Sequence, residues 1–545
     1  MPELQKLPDG IQFFDVIRKK NFFYVDKTRY IAQLIKHGTT LFLSRPRRFG
    51  KSLTVSTLEM LFSGRHDLFT GLEIEKYLGE EEFRPGPVIR LNMNEISVNN
   101  GISGVRKDIF GILKGIAKDK KVELSDDSLH ITFGNLIKDI SDRDGEIVFL
   151  IDEYDFPLIE ALKGKTNIED VKDELRVFFS QLKNRGNCIR FIFIAGISRF
   201  SRMGIFSALN NIEDISLNPK FATMCGYTQE EIVMKFKKYI TRTVEYLKSS
   251  EEDLLKKIES YYDGFCFDGK QNVYNPYSTL LFFKNHKFDD FWFKSGTPEY
   301  VANYMRRQNV TVEQFRMMPI TERFAQDPGE LNESSTASYL YQSGYLTLRC
   351  LESDGKYVLD YPNLEVHSAM SSLMTWNMFG SRMNAEASIS KLTEALEKNN
   401  VEVVINEFNK LLSKLPYDDY VAAAKDSVKE RFEDIDLGEW VYRSSLLSFT
   451  LATNKLAQAE PHSSLGRADM VVRCDKYTWV IEIKIAKTTK EVKKQANAAI
   501  NQIYENRYAE PYDHPILLGI AIDDSKRSIG AYRFEIDPPP KKIPH

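Results

Sequence analysis

The sequence predicts a multidomain α/β protein, with a parallel sheet in its N-terminal part, a helical region in the middle and a second α/β domain at its end. A chain of 545 residues is too long for one hydrophobic core, so several domains are expected. Runs of apolar residues at 39–44, 146–151 and 189–195 have the pattern of strands buried on both faces. A late segment, 466–484, alternates as a β-hairpin does.

The composition is that of a soluble globular protein. Apolar residues make up 42% of the chain and aromatic residues 12%, which suffices for hydrophobic cores and excludes a largely disordered chain. The net charge of −3 gives no whole-molecule attraction to nucleic acid, so any such binding must come from local patches. The five cysteines are far apart and form no paired motif of a zinc or redox site.

Neither a targeting segment nor a membrane span is evident. Residues 1–10 contain no basic stretch followed by an apolar run, so no secretory signal is recognised. The longest apolar runs have the length of strands and are too short to cross a bilayer. We therefore expect a cytoplasmic protein without a membrane partner.

A phosphate-binding loop is predicted between the first strand and a segment with helical spacing at 53–62. Gly50-Lys51-Ser52 lies where backbone amides and a helix N-terminus hold phosphate oxygens, while Lys51 reaches the β and γ phosphates and Ser52 ligates Mg²⁺. Arg45 departs from the general pattern, which has glycine there. The alternative is a basic loop before an ordinary helix. The residues predicted to bind nucleotide here are Arg45, Arg48, Phe49, Gly50, Lys51, Ser52 and Leu53.

The second strand ends in two acids and has the pattern of a Walker B motif. Its continuous apolar residues fit a central parallel strand. Asp152 at the carboxyl end would hold Mg²⁺, and Glu153 would polarise the attacking water as a catalytic residue. The alternative is a buried strand that ends in solvated acids.

The third strand carries weaker candidates at its carboxyl end, where ligands of open α/β sheets bind. Ser198 is placed to sense the γ-phosphate. Arg199 and Arg202 could supply charge in the same subunit or to a neighbour, which would suit a homo-oligomer. Pairing of either arginine with Asp155 or Glu213 is an equally good interpretation.

Several motifs together resemble the bacterial AAA-ATPase-like family: residues 24–28, 45–52, 150–155, 196–201, 225–232, 262–265, 274–278 and 341–346. The resemblance covers about two thirds of the chain, and it implies a P-loop NTPase sheet that uses ATP and Mg²⁺. Arg45 looks like this family's own version of the loop. Members are often joined to a C-terminal nuclease-superfamily domain.

The middle of the chain is predicted to be helical, with a small β wing. Thr228 and Glu231 form a capping box, and Asn275 precedes a proline in a helix-start pattern. Residues 339–348 alternate as strands do, and a turn leads to 357–359. These features resemble the helical or winged-helix-like lid that follows the core in many ATPases of this class.

The C-terminal hairpin brings two acids together. If its turn is centred between Asp475 and Lys476, Asp469 lies directly across from Glu482, and Lys484 projects from the same face. Directly opposed like charges destabilise a strand pair unless a cation lies between them. Oxygen ligands favour a hard ion, so Mg²⁺ or Mn²⁺ is expected.

This segment resembles the PD-(D/E)XK signature, which implies a restriction-endonuclease-like α/β domain and metal-dependent phosphodiester hydrolysis, with DNA favoured over RNA as partner and substrate. Asp469, Glu482 and the Ile483 carbonyl would hold the metal, and Lys484 would orient the hydroxide. Glu439 and Gln502 match the helical carboxylate and glutamine of that superfamily. Two alternatives stay open: simple surface charges, and a nuclease fold that only binds.

Lys487, Lys490 and Lys494 are predicted to share one helical face that could follow a phosphate backbone. The whole chain then divides into a P-loop ATPase core at 1–220, a lid at 221–365, a helical linker at 366–430 and a nuclease-like domain at 431–545. The function expected is an ATPase coupled to a nuclease, and the alternative is a nucleotide-dependent regulatory switch.

Overall fold

The computed structural model divides into two compact units. The first comprises Met1–Trp292 and Pro319–Asn363, and the second comprises Phe293–Met318 and Leu364–His545. The residues that the structure describes are 4–79, 83–125, 128–162, 164, 166–198, 212–296, 301, 305, 311–321, 324, 336–351, 356–427, 436–453, 456–458, 462–463 and 466–537.

The first unit contains strands and helices in alternation, followed by a mainly helical part. Its strands are Thr40–Ser44 (β1), Val88–Asn92 (β2), Ile147–Asp152 (β3), Ile189–Gly196 (β4), Glu213–Asp214 (β5), Phe265–Cys266 (β6), Asn272–Val273 (β7), Met318–Ile320 (β8, whose first residue belongs to the second unit), Thr347–Cys350 (β9) and Tyr357–Asp360 (β10). Its α-helices are Phe14–Lys19 (α1), Thr28–His37 (α2), Lys51–Phe62 (α3), Gly101–Lys120 (α4), Leu129–Asp144 (α5), Phe156–Ala161 (α6), Ile168–Asn184 (α7), Gln229–Lys235 (α8), Lys237–Leu247 (α9), Glu251–Tyr262 (α10), Pro276–Asn285 (α11), Phe291–Ser295 (α12, of which the last three residues belong to the second unit) and Thr336–Ser343 (α13). Short 3-10 helices lie at His66–Leu68, Glu73–Lys76, Met93–Glu95, Gly186–Cys188 and Pro219–Phe221.

The five-stranded sheet of this unit is parallel throughout, in the order β2-β3-β4-β1-β5. Every residue of β3 is buried, as the unbroken apolar run predicts for a strand covered on both faces. The register pairs Ser44 with Gly196 and Ile151 with Ile194. The carboxyl ends of β1, β4 and β3 therefore meet at one edge, where the candidate nucleotide residues follow.

Several local signals in the middle of the chain are confirmed. Thr228 and Glu231 form both bonds of a capping box at the start of α8, and Asn275 caps α11. Strands β9 and β10 pair as the antiparallel wing. The strand pattern extended too far upstream, however, since residues 339–343 belong to helix α13. The hydroxyl and aromatic residues there fit a helix once their other face is buried.

The second unit packs helices around a mixed five-stranded sheet. Its helices are Leu364–Phe379 (α14), Arg382–Glu397 (α15), Val401–Leu412 (α16), Tyr417–Ser427 (α17), Leu437–Leu451 (α18) and Val492–Glu505 (α19), with a 3-10 turn at Val312–Phe315. Its strands are Leu456–Gln458 (β11), His462–Ser463 (β12), Gly466–Arg467 (β13), Met470–Arg473 (β14), Thr478–Ala486 (β15), Pro515–Asp523 (β16) and Ser528–Ile536 (β17).

The main sheet of the second unit has the order β11-β14-β15-β16-β17, and only β15 and β16 are parallel. Met470 pairs with Ile481 and Arg473 with Thr478. This register is the one that a turn between Asp475 and Lys476 predicts, so the hairpin prediction is confirmed. It was the exposed turn and the period of two that determined the result.

Residues 366–430, for which the sequence favours a linker, lie within the second unit. Their apolar faces contact the domain: the Phe408 and Phe449 rings are 6.4 Å apart. The indole of Trp479 on β15 donates to the Leu396 carbonyl at 3.0 Å. These helices pack on this sheet and on α18.

None of the helices in the described ranges is both long and apolar enough to span a bilayer.

Gly196 is a position where the sheet needs the absence of a side chain. A Cβ there would collide with the Tyr154 ring and lie 2.8 Å from Asp155 Oδ1. We expect Gly196→Ala to lower the stability of the first unit by roughly 1–3 kcal/mol, since an overpacked site must shift backbone or ring. Calorimetric unfolding measures this. Gly115→Ala, on an exposed and open face of α4, is the matched control and should not destabilise.

Candidate active sites

The predicted phosphate loop joins β1 to α3, as the sequence indicated. Gly50 is the N-cap of α3 with a φ of 92°, and Arg48 has a φ of 65°. Glycine adopts this left-handed conformation without strain. The turn leaves the first amides of a twelve-residue helix available to an anion, as a phosphate site requires.

Lys51 spans the loop. Its ammonium donates to the carbonyls of Arg45 and Pro46 at 2.8 and 2.9 Å. Burial lowers the pKa of Lys51, and the negative charges of Asp155 and Asp152 oppose that shift. These two carbonyls hold the ammonium where phosphate oxygens would replace them.

The Arg45 side chain, at the start of the predicted nucleotide-binding loop, is bound by main-chain carbonyls of the first unit. It is buried, donates to the carbonyls of Ser44, Ser216 and Phe221, and stacks on Phe267 with 4.0 Å to the ring centroid. The arginine therefore fixes the start of the loop from within the fold. Only its main chain faces Lys51.

The remaining loop residues are held by the helical part of the first unit, a set of contacts that the sequence did not reveal. The rings of Phe49 and Phe265 are 4.8 Å apart, edge to face. Arg48 lies over the Tyr277 ring, and the Trp292 indole donates to the Arg47 carbonyl at 3.0 Å. Ser52 and Leu53, the remaining predicted nucleotide residues, begin α3 half-buried.

Gly344 completes this support. Its φ is 89°, and a Cβ there would lie 2.5 Å from Pro46. The tight approach means that the turn after α13 is packed directly on the phosphate loop. We name the set of Phe265, Tyr277, Trp292 and Gly344 the loop clamp.

Asp152 has the surroundings of a metal ligand. It is buried at the end of β3, with Oδ2 3.5 Å from Arg90 Nη2. Its Oδ1 is buried and makes no hydrogen bond to any described group. A buried carboxylate oxygen without a donor costs free energy that a cation removes, so the residue fits Mg²⁺. Arg90, which also pairs with Glu59 at 3.0 Å, was not foreseen.

Glu153, the predicted catalytic acid, has a φ of 51°. A side chain in the left-handed region is strained, and such strain is frequent at functional positions. The conformation is held on its far side, because Tyr154 donates through its amide to Ala195 and through its hydroxyl to the Ser198 carbonyl. The chain therefore turns away from the direction of β3 at Glu153, directly after the strand ends.

Ser198, the predicted γ-phosphate sensor, is hydrogen-bonded to Asp155. Its hydroxyl is buried and donates to Asp155 Oδ2 at 2.6 Å, and the amides of Ser198 and Ile197 donate to the same oxygen at 2.7 and 2.9 Å. Asp155 therefore ties the end of β4 to the turn after β3. Arg199 and Arg202 lie outside the described residues.

In the second unit, the two predicted metal-binding acids are adjacent and buried. The Asp469 amide donates to Glu482 Oε2 at 3.3 Å, and Asp469 Oδ2 accepts from the Ile483 amide at 2.7 Å. Lys484 Nζ donates to Glu482 Oε1 at 3.1 Å. The hairpin thus brings both acids and the lysine together, as the alternation predicted.

The charges of this site are mutually dependent. Burial, together with the neighbouring charge of Asp469, raises the pKa of Glu482 to about 7. Burial acts to lower the pKa of Lys484, but the Glu482 charge outweighs it and the pKa is raised. A hard divalent ion beside the two carboxylates would favour their charged forms, which fits the oxygen donors present.

Glu439 and Gln502 lie on the helices predicted for them. Glu439 is in the first turn of α18, where burial and then the charge of Asp469 raise its pKa. Gln502 is half-buried on α19. One turn after Glu439, Arg443 pairs with Asp469 Oδ1 at 3.2 Å, a contact that the sequence analysis missed although the four-residue spacing is visible.

The predicted lysine face is not helical. Helix α19 begins at Val492, so Lys487 and Lys490 lie in the preceding turn, and only Lys494 is on the helix. All three are exposed. The helix starts later because strand β15 continues to Ala486 in parallel pairing with β16.

Across the described ranges, no group of three or more His, Cys, Asp or Glu has the arrangement of a metal site. A metal in the second unit would therefore rest on Asp469, Glu482 and main-chain or water oxygen, as the Ile483 carbonyl assignment supposes.

Comparison with known families agrees with the two predicted domains. A family model described as a predicted AAA-ATPase matches residues 8–206. The model of the PD-(D/E)XK nuclease superfamily matches residues 437–532. The first range includes the phosphate loop and Asp152, and the second includes every predicted residue of the hairpin site.

The chain is 30% identical to the uncharacterized protein in the vnfD 5′ region of Azotobacter chroococcum mcd 1, in an alignment that covers 97% of this chain and 99% of that protein. Two solved Aeropyrum pernix structures are also similar. They are the ORC2 protein in ADPNP and ADP complexes (10% identity, 64% of this chain and 96% of that chain, TM-score 0.28) and the ORC1 protein in complex with DNA (11% identity, 66% and 96%, TM-score 0.27).

The raised pKa of Glu482 predicts how pH affects the second unit. The pKa of the Glu482 carboxyl rises from 4.5 to about 7 on folding, because the folded state disfavours the charged form. The free energy of unfolding therefore decreases as the pH increases through that interval. We expect Glu482→Gln, measured by calorimetry in EDTA, to gain stability relative to the wild type between pH 5 and pH 8, on the order of 1–3 kcal/mol. Added Mn²⁺ should reduce that gain.

Glu505→Gln, on an exposed turn of α19, is the control and should leave the pH profile unchanged. A wild-type profile that runs parallel to that of Glu482→Gln would contradict the assignment of a disfavoured buried charge.

Proposed function

Because this chain belongs to the family of proteins that join a predicted AAA-ATPase domain to a C-terminal PD-(D/E)XK nuclease-superfamily domain, we propose that it is an ATP-dependent, divalent-metal-dependent nuclease. The observation that carries the proposal is the pair of buried, adjacent carboxylates of Asp469 and Glu482 with Lys484 bonded to one of them. Such a cluster is costly to fold, and phosphodiester hydrolysis has a use for it.

In the first unit, the amides at the start of α3 would bind the phosphates, and Lys51 would exchange two backbone carbonyls for β and γ oxygens. Ser52 and Asp152 would hold Mg²⁺, which would neutralise charge on the phosphates. Glu153 would orient the attacking water. The left-handed backbone of Glu153 turns its side chain away from that of Asp152, so the two carboxylates can have different roles.

In the second unit, Asp469, Glu482 and the Ile483 carbonyl would hold Mg²⁺ or Mn²⁺. When bound, that ion would polarise the phosphodiester and lower the pKa of a water. Lys484 would position and stabilise the attacking hydroxide, and Glu439 would add a carboxylate on the helix side. Gln502 would orient this group of residues or contact the substrate backbone.

DNA is the favoured substrate, by analogy with the superfamily. The exposed lysines at 487, 490 and 494 follow the strand that carries Lys484, and they support contact with a phosphate backbone. A homo-oligomer, in which Arg199 or Arg202 completes a neighbour's nucleotide site, is part of the same proposal.

The second candidate function is a nucleotide-dependent switch whose nuclease-like domain only binds nucleic acid or a protein. One observation favours it: Arg443 and Lys484 already neutralise the two carboxylates. A site whose carboxylates are neutralised by the protein's own side chains needs no metal for stability, and it need not hydrolyse a substrate.

Two lysine substitutions separate these functions. With plasmid, linear and single-stranded DNA and with RNA, in Mn²⁺ or Mg²⁺ and with or without ATP, Lys484→Ala should reduce cleavage by about 100-fold or more, since it removes a group that acts on the reacting water. Lys51→Ala should abolish ATP hydrolysis and remove the ATP dependence of cleavage. Lys476→Ala, in the exposed hairpin turn, and Lys235→Ala, on α8, are the matched controls.

Cleavage that survives Lys484→Ala undiminished would refute the nuclease assignment. Tight nucleotide binding by a wild type that cleaves none of these substrates would favour the switch.

A further inference from the structure

All four carboxylate oxygens of the hairpin site already have donors from the chain. Asp469 accepts from Arg443 Nη1 at 3.2 Å and from the Ile483 amide at 2.7 Å. Glu482 accepts from Lys484 Nζ at 3.1 Å and from the Asp469 amide at 3.3 Å. A divalent ion can use these oxygens fully only if a donor withdraws.

Arg443 is the donor whose withdrawal leaves both the strand pairing and the proposed role of Lys484 intact. The Ile483 amide belongs to a paired strand, and Lys484 is anchored two residues from Glu482 on that same strand. Arg443 comes instead from α18, and its side chain is 19% exposed to solvent. A long side chain on a separate helix can change rotamer without moving the sheet.

Other acids could pair with the Arg443 guanidinium after it leaves Asp469. Glu439 lies four residues earlier on α18, at the spacing that lets helical side chains pair. Glu313 is partly buried and accepts from His367 Nε2 at 2.9 Å. Burial acts to raise the pKa of Glu313, but His367, Arg316 and Arg443 outweigh it and lower the pKa, so the Arg443 charge is felt there as well.

We propose that Arg443 is the resident counter-ion of this metal site, which neutralises Asp469 when no divalent cation is bound and leaves when the cation arrives. Arg443 is therefore a positioning residue that sets the affinity of the site for Mg²⁺ or Mn²⁺. The inference rests on the proposed function, because it requires Asp469 and Glu482 to be ligands.

Its consequence has opposite signs for folding and for metal binding. Without Arg443, Asp469 is a buried charge with one partner fewer, and breaking a buried pair is destabilising. The same loss removes the competitor for the metal and one positive charge beside it. A purely structural arginine would lower stability and metal affinity together.

The test is a Mn²⁺ titration of the full-length protein without nucleotide, in which free Mn²⁺ is followed by electron paramagnetic resonance. Arg443→Gln should bind Mn²⁺ on the order of tenfold more tightly than the wild type, and its melting temperature in EDTA should fall. Asp469→Asn defines the contribution of the hairpin site. Arg473→Gln, an exposed arginine on β14 that stacks on Tyr512, is the control for a general loss of charge and should match the wild type.

Unchanged or weaker binding by Arg443→Gln overturns the inference while leaving the metal site in place. Should this variant melt too early to titrate, Arg443→Lys, whose amine cannot reproduce the guanidinium geometry, should show a smaller gain in affinity, and no gain overturns the inference. A wild type that binds no more Mn²⁺ than Asp469→Asn overturns both the metal site of the proposed function and this inference.

Discussion

The candidate chemistry of both units depends on one constraint, which is that a buried carboxylate at a strand end needs a cation. Asp152 and Asp469 are both nearly inaccessible to solvent, and each lies against an arginine, Arg90 at 3.5 Å and Arg443 at 3.2 Å. Desolvating an anion costs several kcal/mol unless a charge compensates. Each arginine places a positive charge beside its carboxylate. The same electrostatic demand is the reason that a divalent ion fits both proposed sites.

The phosphate loop shows a different use of packing. Its residues are held from outside by the loop clamp, so that Pro46, Arg48 and Phe49 contact Gly344, Tyr277 and Phe265. Packed interiors transmit small displacements because they have few voids. If phosphate binds at the start of α3, as proposed, any displacement of the loop would reach the helical part of the first unit through these contacts.

The sequence predicted those features that depend on local periodicity. The proximity of Asp469 and Glu482 followed from a period of two and one turn, and the register of β14 and β15 and the hydrogen bond between the two residues agree with it. The sequence could not predict which distant residues the polar side chains would bind. The Arg45 side chain donates to carbonyls brought close by β5 and the following turn. The Ser198 hydroxyl donates to Asp155. Neither partner was visible in the sequence, because buried donors take the nearest available acceptor and tertiary structure determines which acceptor that is.

The path of the chain gives the proposed coupling a covalent route. The chain leaves the first unit after Trp292, returns at Pro319 and leaves again after Asn363. Glu313 belongs to the segment 293–318, and the charge of Arg443 contributes to lowering the pKa of Glu313. Trp292, which donates to the phosphate loop, directly precedes this segment. If nucleotide binding displaced Glu313, the proposed exchange of Arg443 between Asp469 and other acids would respond, and the affinity of the second site for metal would change with it.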